Sequence, residues 1–120
     1  HYIGLSSFVA ESCKQLTQKL IMLKNQGYEI YGFGASHSTG ILVHSFGIQN
    51  LLTSLYDDNV RKHGLFMPGT SLAVISPEKL SILSEHKSAI VILAWQYFDS
   101  IAARIRSLGY NGKIIKPVLI

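Results

Sequence analysis

Five short apolar runs alternate with helix-forming segments along this chain, and this alternation constrains its fold more than any other feature. The runs are rich in Ile, Val, Leu and Tyr, and they span Glu29–Phe33, Leu52–Tyr56, Leu72–Ile75, Ala89–Ala94 and Lys113–Lys116. Strands separated by helices favour a mostly parallel sheet with helices on both faces. Right-handed crossovers around a central first strand give the order 3-2-1-4-5. We therefore expect an α/β fold, a Rossmann-like three-layer domain.

Helical patterns fill the intervals between these runs. An apolar stripe predicts an N-terminal helix from about Ser7 to Gln26, which Gly27 ends; its members are Val9, Cys13, Leu16, Leu20 and Leu23. Further helical patterns cover Thr39–Phe46, the segment opened by Ser76-Pro77-Glu78, and Phe98–Leu108. We expect residues 1–27 to form a helix that packs on a single Rossmann-like domain at residues 28–120.

The composition is that of one compact domain with an apolar core. The chain has 120 residues, of which 48% are hydrophobic. The longest apolar run, Ala89–Trp95, is too short to span a membrane. A single cysteine excludes an internal disulfide and forms no metal-ligand pattern with the five histidines, so we expect no metal site and a reducing, cytoplasmic location. Because no initiator Met or leader peptide opens the sequence, we expect a piece of a longer protein.

The positive charge is modest and dispersed. The formal net charge is +4, and only Arg61-Lys62-His63 forms a local basic cluster. A nucleic-acid surface would need a basic stripe with stacking aromatics between the charges, so no nucleic-acid partner is expected. A small positive bias suits a phosphorylated small molecule.

A glycine turn stands between the first apolar run and the next helical pattern. Gly32-Phe33-Gly34 ends the run, and the helix is expected to begin near Ser38. Glycine lets the backbone approach a ligand there, and the helix N-terminus offers N–H groups to a phosphate. Asp57 follows at the spacing of a ribose contact, but His37 occupies the place of the third glycine in a dinucleotide-binding fingerprint. A tight turn of purely structural origin is the alternative.

A set of short motifs in order along the chain carries a resemblance. It consists of Gly32-Phe33-Gly34-Ala35-Ser36, Asp57-Asp58-Asn59 with Arg61-Lys62-His63-Gly64-Leu65, Pro68-Gly69, Ser76-Pro77-Glu78 and Ile92-Leu93-Ala94-Trp95. Together these motifs resemble the C-terminal domain of sugar-nucleotide C-methyltransferases, over roughly residues 28–117.

The resemblance implies a role in holding substrate. In that family a zinc-binding N-terminal piece and a domain that binds S-adenosylmethionine (SAM) precede a Rossmann-like domain, which helps to hold the nucleotide-sugar. These enzymes methylate a ring carbon next to a keto group after proton abstraction gives an enolate. The implied partners are a nucleoside-diphosphate sugar and the SAM-binding domain of the same polypeptide. No cofactor is expected on this chain, which by itself should transfer no methyl group.

The candidate binding residues lie at the expected carboxyl ends of the strands. For the diphosphate they are Gly34, Ala35, Ser36, His37 and Ser38, with Lys62 and His63 as further donors. Asp57 is the candidate for a ribose or sugar diol, and Trp95 and Tyr97 are candidates for the nucleobase. No catalytic residue is assigned.

Each of these assignments has an alternative interpretation in which the residue has a purely structural role. The hydroxyl residues could cap a helix, the loop cations could be solvated, and Trp95 could pack at the rim of the core. Asp57, Asp58 and Asn59 could form an Asx-type turn, in which we expect Asp58 and Asn59 to shape the backbone and Asp57 to face the ligand.

Two other functions remain open. One is an NAD(P)-binding Rossmann domain of an oxidoreductase or redox sensor, which the glycine turn and Asp57 favour. The other is a non-catalytic interaction domain.

Overall fold

A parallel five-stranded sheet forms the centre of the protein. The computed structural model describes residues 2–34, 48–67, 70–83, 87–93 and 97–116. The strands are β1 (Glu29–Phe33), β2 (Leu55–Tyr56), β3 (Val74–Ile75), β4 (Ser88–Ile92) and β5 (Lys113–Ile115). Their order is β3-β2-β1-β4-β5, and every neighbouring pair is parallel. The predicted strand order and fold class are confirmed.

Two α-helices flank the sheet. Helix α1 spans Tyr2–Asn25 and helix α2 spans Phe98–Ser107. The first begins several residues before the predicted start, and the second agrees closely with its prediction. Both end at a glycine with a left-handed backbone, Gly27 (φ 89°), as predicted, and Gly109 (φ 90°). The helical pattern at Thr39–Phe46 lies outside the described residues.

Three short 3₁₀ helices, Ile48–Leu51, Val60–Lys62 and Pro77–Ile82, complete the helical structure described. The last follows β3 and is capped by Ser76, whose Oγ accepts a hydrogen bond from the Glu78 amide at 3.4 Å. The backbone leaves helical geometry at Lys79 (φ −106°, ψ 23°), so two short pieces meet there.

Each face of the sheet has its own apolar core. On one face, Ile30 and Val91 pack with Leu16, Leu20 and Leu23 of α1. The opposite face includes β-sheet residues Phe33, Tyr56, Ile90 and Ile92, which pack with Ile105 of α2. Successive strand residues point to opposite faces, so one sheet serves both cores. The result is the predicted three-layer arrangement.

The outer edge of β3 is covered by the chain itself. Residues 64–67 run antiparallel to residues 72–74, and the Gly64 and Val74 amides donate to Val74 O and Leu65 O at 2.9 and 2.8 Å. An edge strand with unpaired backbone groups invites pairing with other chains. This segment satisfies those groups on β3.

Across the described ranges, no helix has both the length and the apolar character that a membrane crossing demands.

Candidate functional site

The strand order reverses between β1 and β4, and this reversal defines the candidate site. From β1 the chain continues to β2 on one side, whereas β4 and β5 lie on the other. The two strands pair over their whole lengths, and the Leu93 amide donates to Phe33 O at 3.0 Å just beyond them. In parallel α/β sheets, ligands bind outside the carboxyl ends of the strands at such a switch point. Residues that follow β1, β2 and β4 should therefore surround a ligand.

Gly34 brings the ends of β1 and β2 together. Its backbone has φ 101°, which disfavours a residue with a side chain, and its amide donates to Tyr56 O at 2.8 Å. Asp57 follows Tyr56 directly, so the glycine turn and the acidic residue meet at the carboxyl edge of the sheet. Two of the residues predicted for the site are thereby adjacent.

The Asp57 carboxylate shapes its own loop. Its Oδ1 atom accepts from the Asn59 amide at 2.8 Å, which is an Asx-type turn, and its Oδ2 atom lies 4.0 Å from Lys62 Nζ. The side chain of Asp57 is 16% exposed, against 38% for Lys62. The mostly buried carboxylate is therefore fixed in direction and has a cation beside it.

Asn59 and His63 stabilise the same loop. Asn59 Oδ1 accepts from the Arg61 amide at 3.0 Å and caps the 3₁₀ turn Val60–Lys62. His63 Nε2 lies 2.6 Å from Asp57 O. Because a carbonyl can only accept, Nε2 is the donor in this contact. Asp57, Lys62 and His63, all predicted for the site, thus form one cluster.

Asp58 does not shape the turn as the sequence suggested. Its two carboxylate oxygens accept from Nη2 and Nε of Arg104 in α2, at 3.0 and 3.2 Å. The hydrogen bonds to Asp58, together with its charge, raise the pKa of the Arg104 guanidinium. Asp57 makes the turn instead, because its carboxylate lies within reach of the Asn59 amide.

Arg104 was not among the predicted site residues. It lies in sequence far from Asp58, and nothing in the local pattern around either residue indicates the pair. The helical stripe of α2 showed only that Arg104 is absent from the apolar face. The parallel sheet order, which brings the end of β2 near α2, is the signal that could have suggested it.

Tyr97 immediately precedes α2, on the far side of the switch point. Its carbonyl accepts from Ser100 Oγ at 3.1 Å, which holds the first helical turn. The residue is 66% exposed, so its ring is open to a ligand or to solvent.

Other predicted site residues lie outside the described ranges. They are Ala35, Ser36, His37, Ser38 and Trp95, and the predicted turn at Pro68-Gly69 lies outside them as well. In the ranges that are described, no three His, Cys, Asp or Glu side chains come together as a metal centre would require.

A pair of tyrosines lies beneath the carboxyl edge on the α2 face. The rings of Tyr31 and Tyr56 have centroids 5.5 Å apart and planes inclined by 50°. Burial, with smaller contributions from Tyr31 and Tyr110, raises the pKa of Tyr56 to about 12. These phenols are therefore neutral at physiological pH.

Comparison with known protein families identifies the relationship that the motifs suggested. The model of the C-methyltransferase C-terminal domain matches residues 1–118, which includes α1 as well as the region of the motifs. A comparison with curated proteins finds no match. Since the family match extends over nearly the whole sequence, this chain belongs to the C-methyltransferase C-terminal domain family.

Proposed function

We propose that this chain holds a nucleoside-diphosphate sugar for a SAM-dependent C-methyltransferase, which methylates a ring carbon next to a keto group. The observation that carries the proposal is the junction of Gly34 and Asp57 at the carboxyl edge, made by the 2.8 Å hydrogen bond from the Gly34 amide to Tyr56 O. A left-handed glycine after one strand and a carboxylate after the next are what a nucleotide site in a parallel sheet needs.

The described side chains have the chemistry for such a ligand. Asp57 presents a fixed carboxylate that can accept hydrogen bonds from a diol, and Lys62 lies beside it to offset part of the negative charge of a diphosphate. The exposed ring of Tyr97 offers a face on which a nucleobase can stack. Ala35, Ser36, His37, Ser38 and Trp95 remain proposed contacts of the diphosphate and the base.

The methyl donor belongs to another part of the enzyme in this proposal. SAM would be held by a partner domain of the same polypeptide in the cytoplasm, and this chain would hold the substrate.

A dinucleotide site is the second candidate. The specific observation that favours it is the position of Asp57 at the end of β2, where dinucleotide-binding folds place their ribose contact. His37 at the third glycine position weighs against it.

Isothermal titration calorimetry of the full chain tests both candidates. The titrants are dTDP, GDP and CDP, followed by NAD, NADP and SAM. We expect one nucleoside diphosphate to bind, and Asp57→Asn to weaken it about tenfold, because the amide can still accept from Asn59 but loses the charge-assisted bond to a hydroxyl.

Glu29→Gln is the matched control. It also removes one carboxylate, but at the amino end of β1, and its amide oxygen can still accept from Thr53. The affinity of Glu29→Gln for the nucleoside diphosphate should equal that of the unmodified chain. Preferential binding of NAD or NADP would replace the substrate-holding proposal with the dinucleotide one, and binding of none of the six compounds would contradict both.

A further inference from the structure

Two adjacent carboxylates follow β2, at the edge where the proposed ligand carries its diphosphate. Asp57 and Asp58 would both repel such an anion unless cations offset them. Each does meet a cation: Asp57 Oδ2 lies 4.0 Å from Lys62 Nζ, and Asp58 Oδ1 lies 3.0 Å from Arg104 Nη2. The second contact joins the loop after β2 to a different element, helix α2.

The pair between Asp58 and Arg104 has a specific geometry. Two hydrogen bonds run from the guanidinium to the two carboxylate oxygens, at 3.0 and 3.2 Å. This two-point contact defines the orientation of the carboxylate as well as its distance, which a lysine in place of Arg104 would not do. The contact therefore holds Asp58 on α2.

The pair also connects the two sides of the candidate site. Arg104 lies about two helical turns after Tyr97, the exposed aromatic residue at the start of α2. Asp58 is the neighbour of Asp57, the proposed diol contact. One ion pair thus links the loop that carries Asp57 to the helix that Tyr97 precedes.

The pair contributes little to the folding stability of the chain. The side chains of Arg104 and Asp58 are 50% and 48% exposed. Ion pairs with this exposure contribute little to folding stability, since water and salt screen them. Their charges would nevertheless act on an anion bound close by.

The geometry points to Arg104 as a positioning residue for the nucleoside-diphosphate sugar, acting through Asp58. It keeps the Asp58 carboxylate on α2 and offsets its charge, so that Asp57 and Lys62 can meet the ligand without a second, unopposed anion beside them. This inference rests on the proposed function, because it concerns the same ligand and the same edge of the sheet.

Calorimetry on a set of charge variants tests this role, with whichever of dTDP, GDP or CDP binds the unmodified chain most tightly. At low salt, Arg104→Gln should weaken binding about tenfold, because Asp58 is then unopposed. The difference in affinity between Arg104→Gln and the unmodified chain should become smaller as the salt concentration rises from about 20 to about 300 mM, since salt screens the repulsion. Adding Asp58→Asn to Arg104→Gln should return the affinity to within about twofold of the unmodified value at low salt.

A control and a stability measurement complete the design. Lys19→Gln removes a positive charge from an exposed position on α1 and should leave the affinity unchanged. The urea midpoint of Arg104→Gln should match that of the unmodified chain, whereas a structural role would lower it and would not respond to Asp58→Asn. Unchanged affinity in Arg104→Gln, or no recovery in the double variant, would overturn the inference.

The same titrations separate this inference from the proposed function. If the unmodified chain binds and Asp57→Asn weakens binding while Arg104→Gln does not, only the role of Arg104 is refuted. If none of the three nucleoside diphosphates binds the unmodified chain, the proposed function and the role of Arg104 are both refuted.

Discussion

Gly32 lies within β1 and Gly34 directly follows that strand, and the structure requires glycine at each position for a different reason. A Cβ atom on Gly32 would lie 2.6 Å from Leu55 Cδ2 and 2.7 Å from Leu93 Cδ1, so the core leaves no room for it. Gly34 is needed for its backbone, which has φ 101°. Only the second glycine lies at the proposed ligand edge, so the first is not evidence of a ligand.

Replacing Gly32 with alanine tests this division of roles. Gly32→Ala should lower the free energy of unfolding by about 1–3 kcal/mol, because two buried leucines must move to admit a methyl group. Urea unfolding measures the effect. Combining it with Leu55→Ala should cost less than the sum of the two single changes, since the truncated side chain frees the space. Full additivity would contradict the proposed contact.

The acidic residues show how far residue-level prediction could go. Their position at the end of a strand was readable from the sequence, because an apolar run stops at Tyr56. The sequence could not predict that Asp57 shapes the turn and Asp58 pairs with helix α2. This difference depends on Arg104, whose side chain reaches the loop only in the folded chain. Local sequence carries no information on such a partner.

At the scale of elements, periodicity predicted the existence of each strand well and the strand lengths less well. The second run was predicted to begin at Leu52, but β2 begins at Leu55. Leu52 is buried and follows a 3₁₀ turn, and the backbone enters the ladder only after the Thr53 amide donates to Ile30 O at 2.7 Å. An apolar residue is buried in either conformation, so burial alone could not locate the start of the strand.

Tyr110 connects α2 to strands β4 and β5. Its side chain is fully buried, and its hydroxyl donates to Lys113 O at 3.1 Å. The hydroxyl has one proton, so Ser88 Oγ must donate to it across the 3.1 Å that separate them. Arg106 Nη1 donates to Tyr110 O and Gly112 O at 3.0 and 2.8 Å. This network fixes the turn between α2 and β5.

Removing the Tyr110 hydroxyl alone should destabilise the fold more than removing the Tyr110 and Ser88 hydroxyls together. Tyr110→Phe should lower the free energy of unfolding by about 1–3 kcal/mol, because it leaves the buried Ser88 hydroxyl without this acceptor. Adding Ser88→Ala should recover part of the loss. Denaturant unfolding of the two single variants and the double variant measures the coupling. If the loss of unfolding free energy in the double variant equals the sum of the losses in the two single variants, the two hydroxyls do not interact.

At the scale of the whole molecule, the strand order and the three layers followed from the alternation of strands and helices, which is repeated along the entire chain. The loops at the carboxyl edge did not follow in the same way. Their side chains are arranged by contacts with distant segments, as Asp58 is by Arg104, and such contacts follow no periodic pattern in the sequence. The fold was therefore more predictable than the site it positions.

Alkaline pH should destabilise the molecule through its buried phenols. The pKa of Tyr56 is raised to about 12, whereas an unfolded tyrosine ionises near 10. The unfolded chain therefore loses this proton first, so the stabilisation is complete below pH 10 and is lost between pH 10 and 12. Between pH 8 and 11 the free energy of unfolding should fall by about 1 kcal/mol through Tyr56 alone.

Denaturant unfolding of the unmodified chain and of Tyr56→Phe across this pH range isolates that contribution. Tyr31 and Tyr110, whose pKa values are also raised by burial, remain in both proteins. The variant should therefore lose less stability than the unmodified chain between pH 8 and 11. Parallel losses in the two proteins would contradict the assignment to Tyr56.

The pairing of β1 with β4 at the centre of the sheet has a consequence for biosynthesis. Ile30 pairs with Ala89, so the central ladder joins two segments that are far apart in the sequence. A ribosome completes β1, β2 and β3 long before it delivers β4, and until then one edge of β1 has no neighbour. A nascent chain in which β1, β2 and β3 have already paired would therefore expose that edge until β4 is made, and a chaperone that binds extended apolar segments would have its target there.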